Sequence, residues 1–282
     1  MENIVEIRNL SKKYDGFSLE DVNFSLPKGC IMGFVGENGA GKSTTIKLML
    51  NLIRRDSGEI SIFGLDNSKH DHQIKEDIGI VFDGSNFHDN MTPTDINKVM
   101  KNIYKNWEDA KFYSYLEKFN LPLKKIVKEF SRGMNMKLSI AVALSHHAKL
   151  LILDEATSGL DPIVRDEILD VFLDFIQDEE HSIFISTHIL SDLEKIADYI
   201  TFIHKGKIVF SEPKDNLLYN YGILKCSNAD FEKINKKIII GSRKSQFGVE
   251  ALVKRGNLKG DYTIDNASIE DIMLFQIRGE SK

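Results

Sequence analysis

Cysteine is scarce in this 282-residue sequence: Cys30 and Cys226 are far apart and lack metal-ligand spacing. Two such residues make no disulfide framework, and they read as reduced thiols suited to a cytosol. Long apolar runs are missing too. No uncharged stretch approaches the roughly 18–20 residues that cross a bilayer, and the start Met1-Glu2-Asn3 has neither the basic nor the apolar region of a signal peptide. A protein of this kind serves a membrane, if at all, from outside the lipid. An excess of positive charge is the third absence: the formal charge is −5, which argues against the basic surface a nucleic-acid partner favours. There is no repeat or low-complexity tract. What remains is an ordinary globular composition, 42% hydrophobic and 28% charged, in a chain long enough for one large domain and a small annex.

Periodicity then divides the chain. The segments Ile4 to Leu10 and Phe24 to Val35 are rich in β-branched and aromatic residues, broken by Pro27-Lys28-Gly29, and predict strands joined by a turn. After Gly36 the pattern turns helical: Ile46, Leu48, Met49, Leu50 and Ile53 keep an apolar face until Ser57-Gly58. Apolar runs at Ile78–Phe82, Leu150–Leu153, Ile183–Ser186 and Tyr199–Ile203 read as buried strands with amphipathic helices between several of them. That alternation predicts an α/β fold with a mainly parallel sheet covered on both faces. Between Ser85 and Lys128 the strand signals stop, and Thr92-Pro93-Thr94-Asp95 supplies a helix start with a cap, a proline at the first position and an acid in the first turn. A helical subdomain is therefore expected at residues 85–148, inserted into a domain spanning 1–211. A hairpin over Ile200–Ser211, turning at Lys205-Gly206, closes that domain. Residues 212–282, rich in lysine and asparagine with short apolar runs such as Ile238-Ile239-Ile240, predict a small α/β or β-rich annex.

Two segments carry chemistry on their own residues. Gly36-Glu37-Asn38-Gly39-Ala40-Gly41-Lys42-Ser43 matches G-x-x-x-x-G-K-S/T and lies between a predicted strand and a predicted helix. Its glycines let backbone N–H groups turn inward around phosphate oxygens, and the helix offers its positive N-terminus to the same anion. Lys42 is placed to neutralise the β- and γ-phosphates of ATP, and the Ser43 hydroxyl to ligate Mg²⁺, with Asn38, Ala40 and Thr44 as further nucleotide contacts. The second segment, Leu150-Leu151-Ile152-Leu153-Asp154-Glu155, is a buried strand ending in two acids. After a phosphate loop, Asp154 is expected to hold Mg²⁺ through water and Glu155 to polarise the water that attacks the γ-phosphate.

Three further stretches complete an ordered set: Phe130-Ser131-Arg132-Gly133-Met134, Ser158-Gly159-Leu160-Asp161 and Ser186-Thr187-His188. From about Ile4 to Ser211 the sequence resembles the ATP-binding cassette (ABC) ATPases, and these stretches look like that family's signature, D-loop and switch histidine. The resemblance implies a P-loop core, ATP and Mg²⁺ as ligands, and a dimer in which Ser131 and the Gly133 amide of one copy cap the ATP held by the other. It further implies that His188 senses or stabilises the γ-phosphate, that Asp161 belongs to the site while also capping the helix begun at Pro162, and that Tyr14 stacks on adenine. The loop after Asp83, with Asn86 and Phe87, would pass dimer closure to a membrane permease.

Two departures from the family pattern stand out. The usual glutamine after Ile78-Gly79-Ile80-Val81-Phe82 is Asp83, which still offers an oxygen to Mg²⁺ but adds charge and is shorter. The signature carries Arg132 and Met134 in place of glycine and glutamine; with Lys137-Leu138 this is similar to bacterial exporter ATPases that serve ABC-2-type permeases. Other features read as structural: His70 and His72 on a polar loop, His146-His147 pointing apart on a helix, and a solvated Lys124, Lys125, Lys128 cluster. The expectation is an ATPase at the cytoplasmic face of the cell membrane, working as a homodimer or with a paralogue beneath multi-span permease subunits. Two alternatives remain at this point. One is a soluble ABC ATPase acting on nucleic acid or ribosomes, separable by salt-sensitive nucleic-acid binding; the other is a regulator that has lost hydrolysis.

Overall fold

A computed structural model describes residues 2–84, 86–246, 248–257 and 262–280. Ser85, where the predicted helical insertion starts, and residues 247, 258–261 and 281–282 of the predicted annex lie outside the described residues. The chain forms two compact units, Met1–Ile208 and Val209–Lys282.

In the first unit, β1 (Asn3–Tyr14) and β2 (Phe17–Pro27) form an antiparallel pair. Next come β3 (Ile31–Val35), α1 (Lys42–Met49), β4 (Ser57–Ile62), β5 (Leu65–Asp66), α2 (Asp71–Glu76) and β6 (Ile78–Val81). Helices α3 (Pro93–Ile103), α4 (Asp109–Lys118) and α5 (Arg132–Ala143) follow without an intervening strand among the described residues. The chain then returns to the sheet through β7 (Leu150–Asp154), α6 (Pro162–Phe175), β8 (Ser182–Thr187), α7 (Leu190–Ile196), β9 (Tyr199–His204) and β10 (Lys207–Pro213). The principal sheet has the order β10-β9-β3-β8-β7-β6, with β9, β3, β8, β7 and β6 parallel to one another. Its central strands β3, β7 and β8 are buried along their whole length, which is why they read as unbroken apolar runs.

A second sheet, β2-β1-β4-β5, is antiparallel throughout and stands beside the mainly parallel sheet that the sequence predicts. Its strands alternate apolar with charged residues and are broken by bulges in β1, so their period is weak in the sequence. The two sheets meet through Phe24 of β2, which lies 5.4 Å from Phe34 of β3 and 5.8 Å from Phe184 of β8, ring centre to ring centre. These contacts fix the antiparallel sheet over the strand that feeds the phosphate loop.

Two helices are shorter than predicted. The pattern after Gly36 extends to Ser57-Gly58, but α1 stops at Met49 because Asn51 adopts a left-handed conformation, φ 52°. The Asn51 amide then donates to Leu48 O (3.1 Å) and the Leu52 amide to Lys47 O (2.9 Å), a Schellman ending that satisfies the last carbonyls. Ser57-Gly58 instead begin β4. Similarly α5 ends at Ala143, short of the His146-His147 pair expected on a helix, and His147 turns the chain at φ 57° towards β7. The helix start at Thr92 is as the sequence predicts: Thr92 Oγ1 accepts from the Asp95 amide and Asp95 reaches back to the Thr92 amide.

The second unit contains α8 (Lys214–Asn220), β11 (Tyr221–Cys226), α9 (Asn228–Lys233), β12 (Ile239–Ser245), β13 (Gly248–Lys254), β14 (Ile264–Asn266) and α10 (Ile269–Glu280). Its sheet, in the order β12-β13-β11-β14, is antiparallel. Leu224, Phe231, Ile234, Val249, Ala251 and Val253 form its core. Among the described residues no helix is long and apolar enough to cross a membrane.

Candidate active site

Parallel strands bring the chemistry to one edge. In register, Val35 of β3 pairs with Thr187 of β8, and Asp154 of β7 pairs with Ser186 of β8. The segments that leave these ends, beginning at Gly36, Glu155 and His188, are therefore neighbours at the carboxyl edge of the sheet, where open α/β folds place their ligands.

Residues 36–41 wrap into the start of α1, with the Ala40 amide donating to Glu37 O (3.1 Å). Gly41 caps the helix at φ 115°, and a Cβ there would lie 2.5 Å from Leu19 Cδ2, so the turn needs a residue without a side chain. Gly16, Phe17, Glu37, Asn38, Gly39, Gly41, Lys42, Ser43, Thr44 and Glu155 line an open cleft of about 490 Å³ over this turn. Lys42 is 6% exposed; its Nζ donates to Gly36 O at 2.7 Å and lies 3.6 Å from Glu155 Oε1. A buried ammonium needs such partners, and both lie where phosphate oxygens would compete for it.

Glu155 joins the phosphate loop to His188. Its other oxygen, Oε2, accepts a hydrogen bond from His188 Nδ1 at 2.7 Å. Its backbone is left-handed, φ 54°, a conformation that costs free energy in a non-glycine residue and occurs where surrounding structure over-determines it. Here the Glu155 amide is held by Ser186 O (2.9 Å), and its carbonyl accepts from the Ser158 amide (3.1 Å). Asp154, 8% exposed, accepts from Ser186 Oγ at 2.8 Å. That bond leaves further lone pairs on a carboxylate at the mouth of the sheet.

The remaining predicted residues take distinct places. Gly36 presents its carbonyl to Lys42, and buried Ala40 accepts the Gly206 amide (3.0 Å), so neither lines the cleft. Tyr14, 47% exposed with Lys12 Nζ 5.6 Å from its ring centre, borders an adjoining depression that shares Gly16, Phe17 and Gly39 with the cleft. Asp161 caps α6, accepting from the Ile163 and Val164 amides at 3.1 and 3.0 Å. Ser131 caps α5 through the Met134 amide (3.2 Å), with Gly133 in the first turn. Asp83 does not line the cleft; its carboxylate is paired with Arg132.

Several contributors escaped sequence reasoning. Phe17 lines the cleft, and its signal was an aromatic residue one place past the Asp15-Gly16 turn. Ser186, quoted with His188 but given no task, holds both Asp154 and Glu155. Asn67, 1% exposed, donates its side-chain amide to Leu48 O and Met49 O at 2.8 Å each, closing the far end of the phosphate-loop helix. Arg55 Nη1 in turn donates to Asn67 Oδ1 (2.6 Å). The neighbouring Asp66 carboxyl is held down at about 2, first by the Ser68 hydroxyl, with the Ser68 amide and Arg55 assisting. No pattern announces an asparagine in a hairpin as a helix cap.

A glycine turn feeding a helix, a buried lysine above it, and two acids at the end of β7, one strand beyond β8 in the same sheet, define a P-loop nucleoside triphosphatase. The family model described as ABC transporter matches residues 19–158. A bacitracin transport ATP-binding protein of Bacillus licheniformis is 39% identical over 223 residues, covering 77% of this chain and 72% of the relative. A lantibiotic transport ATP-binding protein of Streptococcus pyogenes is 37% identical, covering 75% and 92%. Among solved structures, one described as the ATP-binding subunit of an ABC transporter superposes with a TM-score of 0.68 at 27% identity, covering 76% of this chain and 91% of that one. The chain belongs to the ABC transporter family: it is an ATP-binding, ATP-hydrolysing subunit of such a transporter.

Proposed function

We propose that two copies of this chain, or one copy and a paralogue, close around ATP and so drive a separate multi-span permease from the cytoplasmic face of the membrane. The observation that carries this reading is the chain of contacts Lys42–Glu155–His188, which ties the phosphate loop to the ends of β7 and β8. Lys42 leaves Gly36 O for the β- and γ-phosphates of ATP, and the loop amides with the N-terminus of α1 hold the same oxygens. Freed of its cation, Glu155 is the base that orients and deprotonates the attacking water, while His188 fixes the carboxylate and the terminal phosphate. Ser43 and Asp154 would supply the hard oxygen donors that suit Mg²⁺, which would offset the negative charge of the phosphates. Thr44 and Asn38 add contacts from the cleft wall, and Tyr14 with Phe17 offers rings to the base.

Closure follows from position. Ser131 and Gly133 at the start of α5 cap the nucleotide of the other copy, and Asp161 lies at that junction. Ile163, next to Asp161 and 80% exposed, is an apolar residue that a second copy would cover. The helical subdomain, residues 85–148, with the loop at Asn86 and Phe87, then carries the movement to the permease. Relatives named for bacitracin and lantibiotic transport support an exported cargo of that kind. Glu155→Gln provides the test: steady-state ATPase activity falls by about 10²–10⁴-fold, while MgATP shifts the variant from monomer to dimer in light scattering. A variant that hydrolyses ATP near the wild-type rate would remove Glu155 from the mechanism.

A further inference from the structure

Asp83 follows β6 and Arg132 opens α5, forty-nine positions apart, yet Arg132 Nη2 donates to Asp83 Oδ1 at 2.7 Å. Both side chains are about half exposed, 49% and 52%. An ion pair so wet contributes little to stability, so its value must lie in where it holds things. Arg132 occupies the first position of a helix with no acid in its first turn. A cation there opposes the helix dipole, and Asp83 supplies the missing negative charge.

The same guanidinium reaches a third segment. A Cβ on Gly159 would lie 3.1 Å from Arg132 Cζ, 3.2 Å from Nη1 and 3.3 Å from Nε. Three nearly equal distances place the face of the planar group over the space that a Gly159 side chain would fill, and a glycine at φ 67° leaves that space open. One side chain thus touches the end of β6, the start of α5 and the loop that leaves Glu155. Ser131 and Gly133 flank it on either side.

We propose that Arg132 is a positioning residue and Asp83 its anchor: together they fix the Ser131–Gly133 turn against the 158–161 loop of the same copy, so that Asp83 serves the signature rather than the metal. The proposal rests on the dimer reading above, since the turn it positions is the one that meets the partner's ATP. Lysine cannot replace Arg132, because an ammonium neither presents a flat face to the Gly159 turn nor keeps a fixed fork towards a carboxylate.

The test is a cycle of Asp83→Asn, Arg132→Gln and the double variant, with Arg132→Lys beside them. In the nucleotide-free protein, hydrogen exchange at the Met134 and Asn135 amides, which are bonded to Ser131, should quicken several-fold in each single variant and no further in the double. In a Glu155→Gln background, the ATP concentration for half-maximal dimerisation should rise about tenfold in each single variant and the double. Arg132→Lys should restore this only in part, and half-saturation by Mg²⁺ should be unchanged throughout. Additive effects in the double variant, or a raised Mg²⁺ requirement confined to Asp83→Asn, would overturn the proposal. If Glu155→Gln itself does not dimerise with ATP, the dimer reading fails; the exchange cycle then decides the Asp83–Arg132 coupling alone.

Discussion

Asn67 shows how far the support of a phosphate loop extends from the phosphates. Its buried amide is the partner of two carbonyls at the end of α1 and is itself fixed by Arg55. Removing the side chain takes a donor from the buried Met49 carbonyl, leaves Leu48 O with the Asn51 amide alone, and deprives one Arg55 nitrogen of its acceptor. Asn67→Ala is therefore expected to destabilise the fold by about 1–3 kcal/mol, seen as a lower midpoint in thermal unfolding, and to weaken ATP binding by loosening the helix that carries Lys42 and Ser43. Asp66 adds a pH dependence to the same cluster. Its carboxyl sits at about 2 in the folded chain, below the roughly 3.9 of an unfolded aspartate, so the folded state binds fewer protons between those values. The stability it contributes is complete above about pH 4 and is lost as pH falls towards 2; denaturant midpoints across that range should fall less steeply in Asp66→Asn. At this scale the sequence was legible wherever chemistry is contiguous, as at Gly36 to Ser43 and at Asp154-Glu155. It was not legible for Asn67, or for Asp83 with Arg132, because nothing local records that segments so far apart will touch.

Elements were legible in proportion to how completely they are buried or how well they are capped. Strands β3, β7 and β8 have solvent on neither face, so their apolar runs needed no periodicity argument. Helix α3 announced itself through Thr92, Pro93 and Asp95, and the structure shows each side chain in the expected role. By contrast β4 is short and half polar, and Ser57-Gly58 reads equally well as a helix stop or a strand start. The end of α1 depended on Asn51 accepting a left-handed conformation, which a neighbouring apolar face at Leu52 and Ile53 conceals. Capping has a measurable consequence. Thr92→Ala removes the acceptor of the Asp95 amide and should cost about 0.5–2 kcal/mol. Because Thr92 touches none of the cleft residues, hydrogen exchange should quicken first within Pro93–Ile103, while ATP affinity stays at the wild-type value. Loss of ATP affinity in this variant would show that α3 and the cleft are coupled in a way these contacts do not contain.

For the whole molecule, residues that follow β3, β7 and β8 meet at one edge, and on the proposed dimer reading the Ser131 turn completes the site of a second copy. One chain would then hold a binding site and an incomplete catalytic one. Linkage turns this into a thermal measurement. A ligand that binds only the folded state at a hundredfold excess over its dissociation constant stabilises by about 2.7 kcal/mol, and each kcal/mol moves a domain of 150–250 residues by roughly 2–4 °C. Saturating MgATP should thus raise the unfolding midpoint of Glu155→Gln by roughly 5–10 °C. The rise should grow with protein concentration, because each dimer formed adds contacts to both nucleotides. Lys42→Ala should lose the nucleotide shift altogether, since the buried ammonium is the cation proposed to meet the phosphates and its removal leaves Glu155 unbalanced in the same cleft. Ser131→Ala should behave differently: a single chain still binds ATP through its own loop, so the shift should survive at low protein concentration but no longer increase with it. A concentration dependence that persisted in Ser131→Ala would mean that copies associate through another surface, and the trans cap would have to be abandoned.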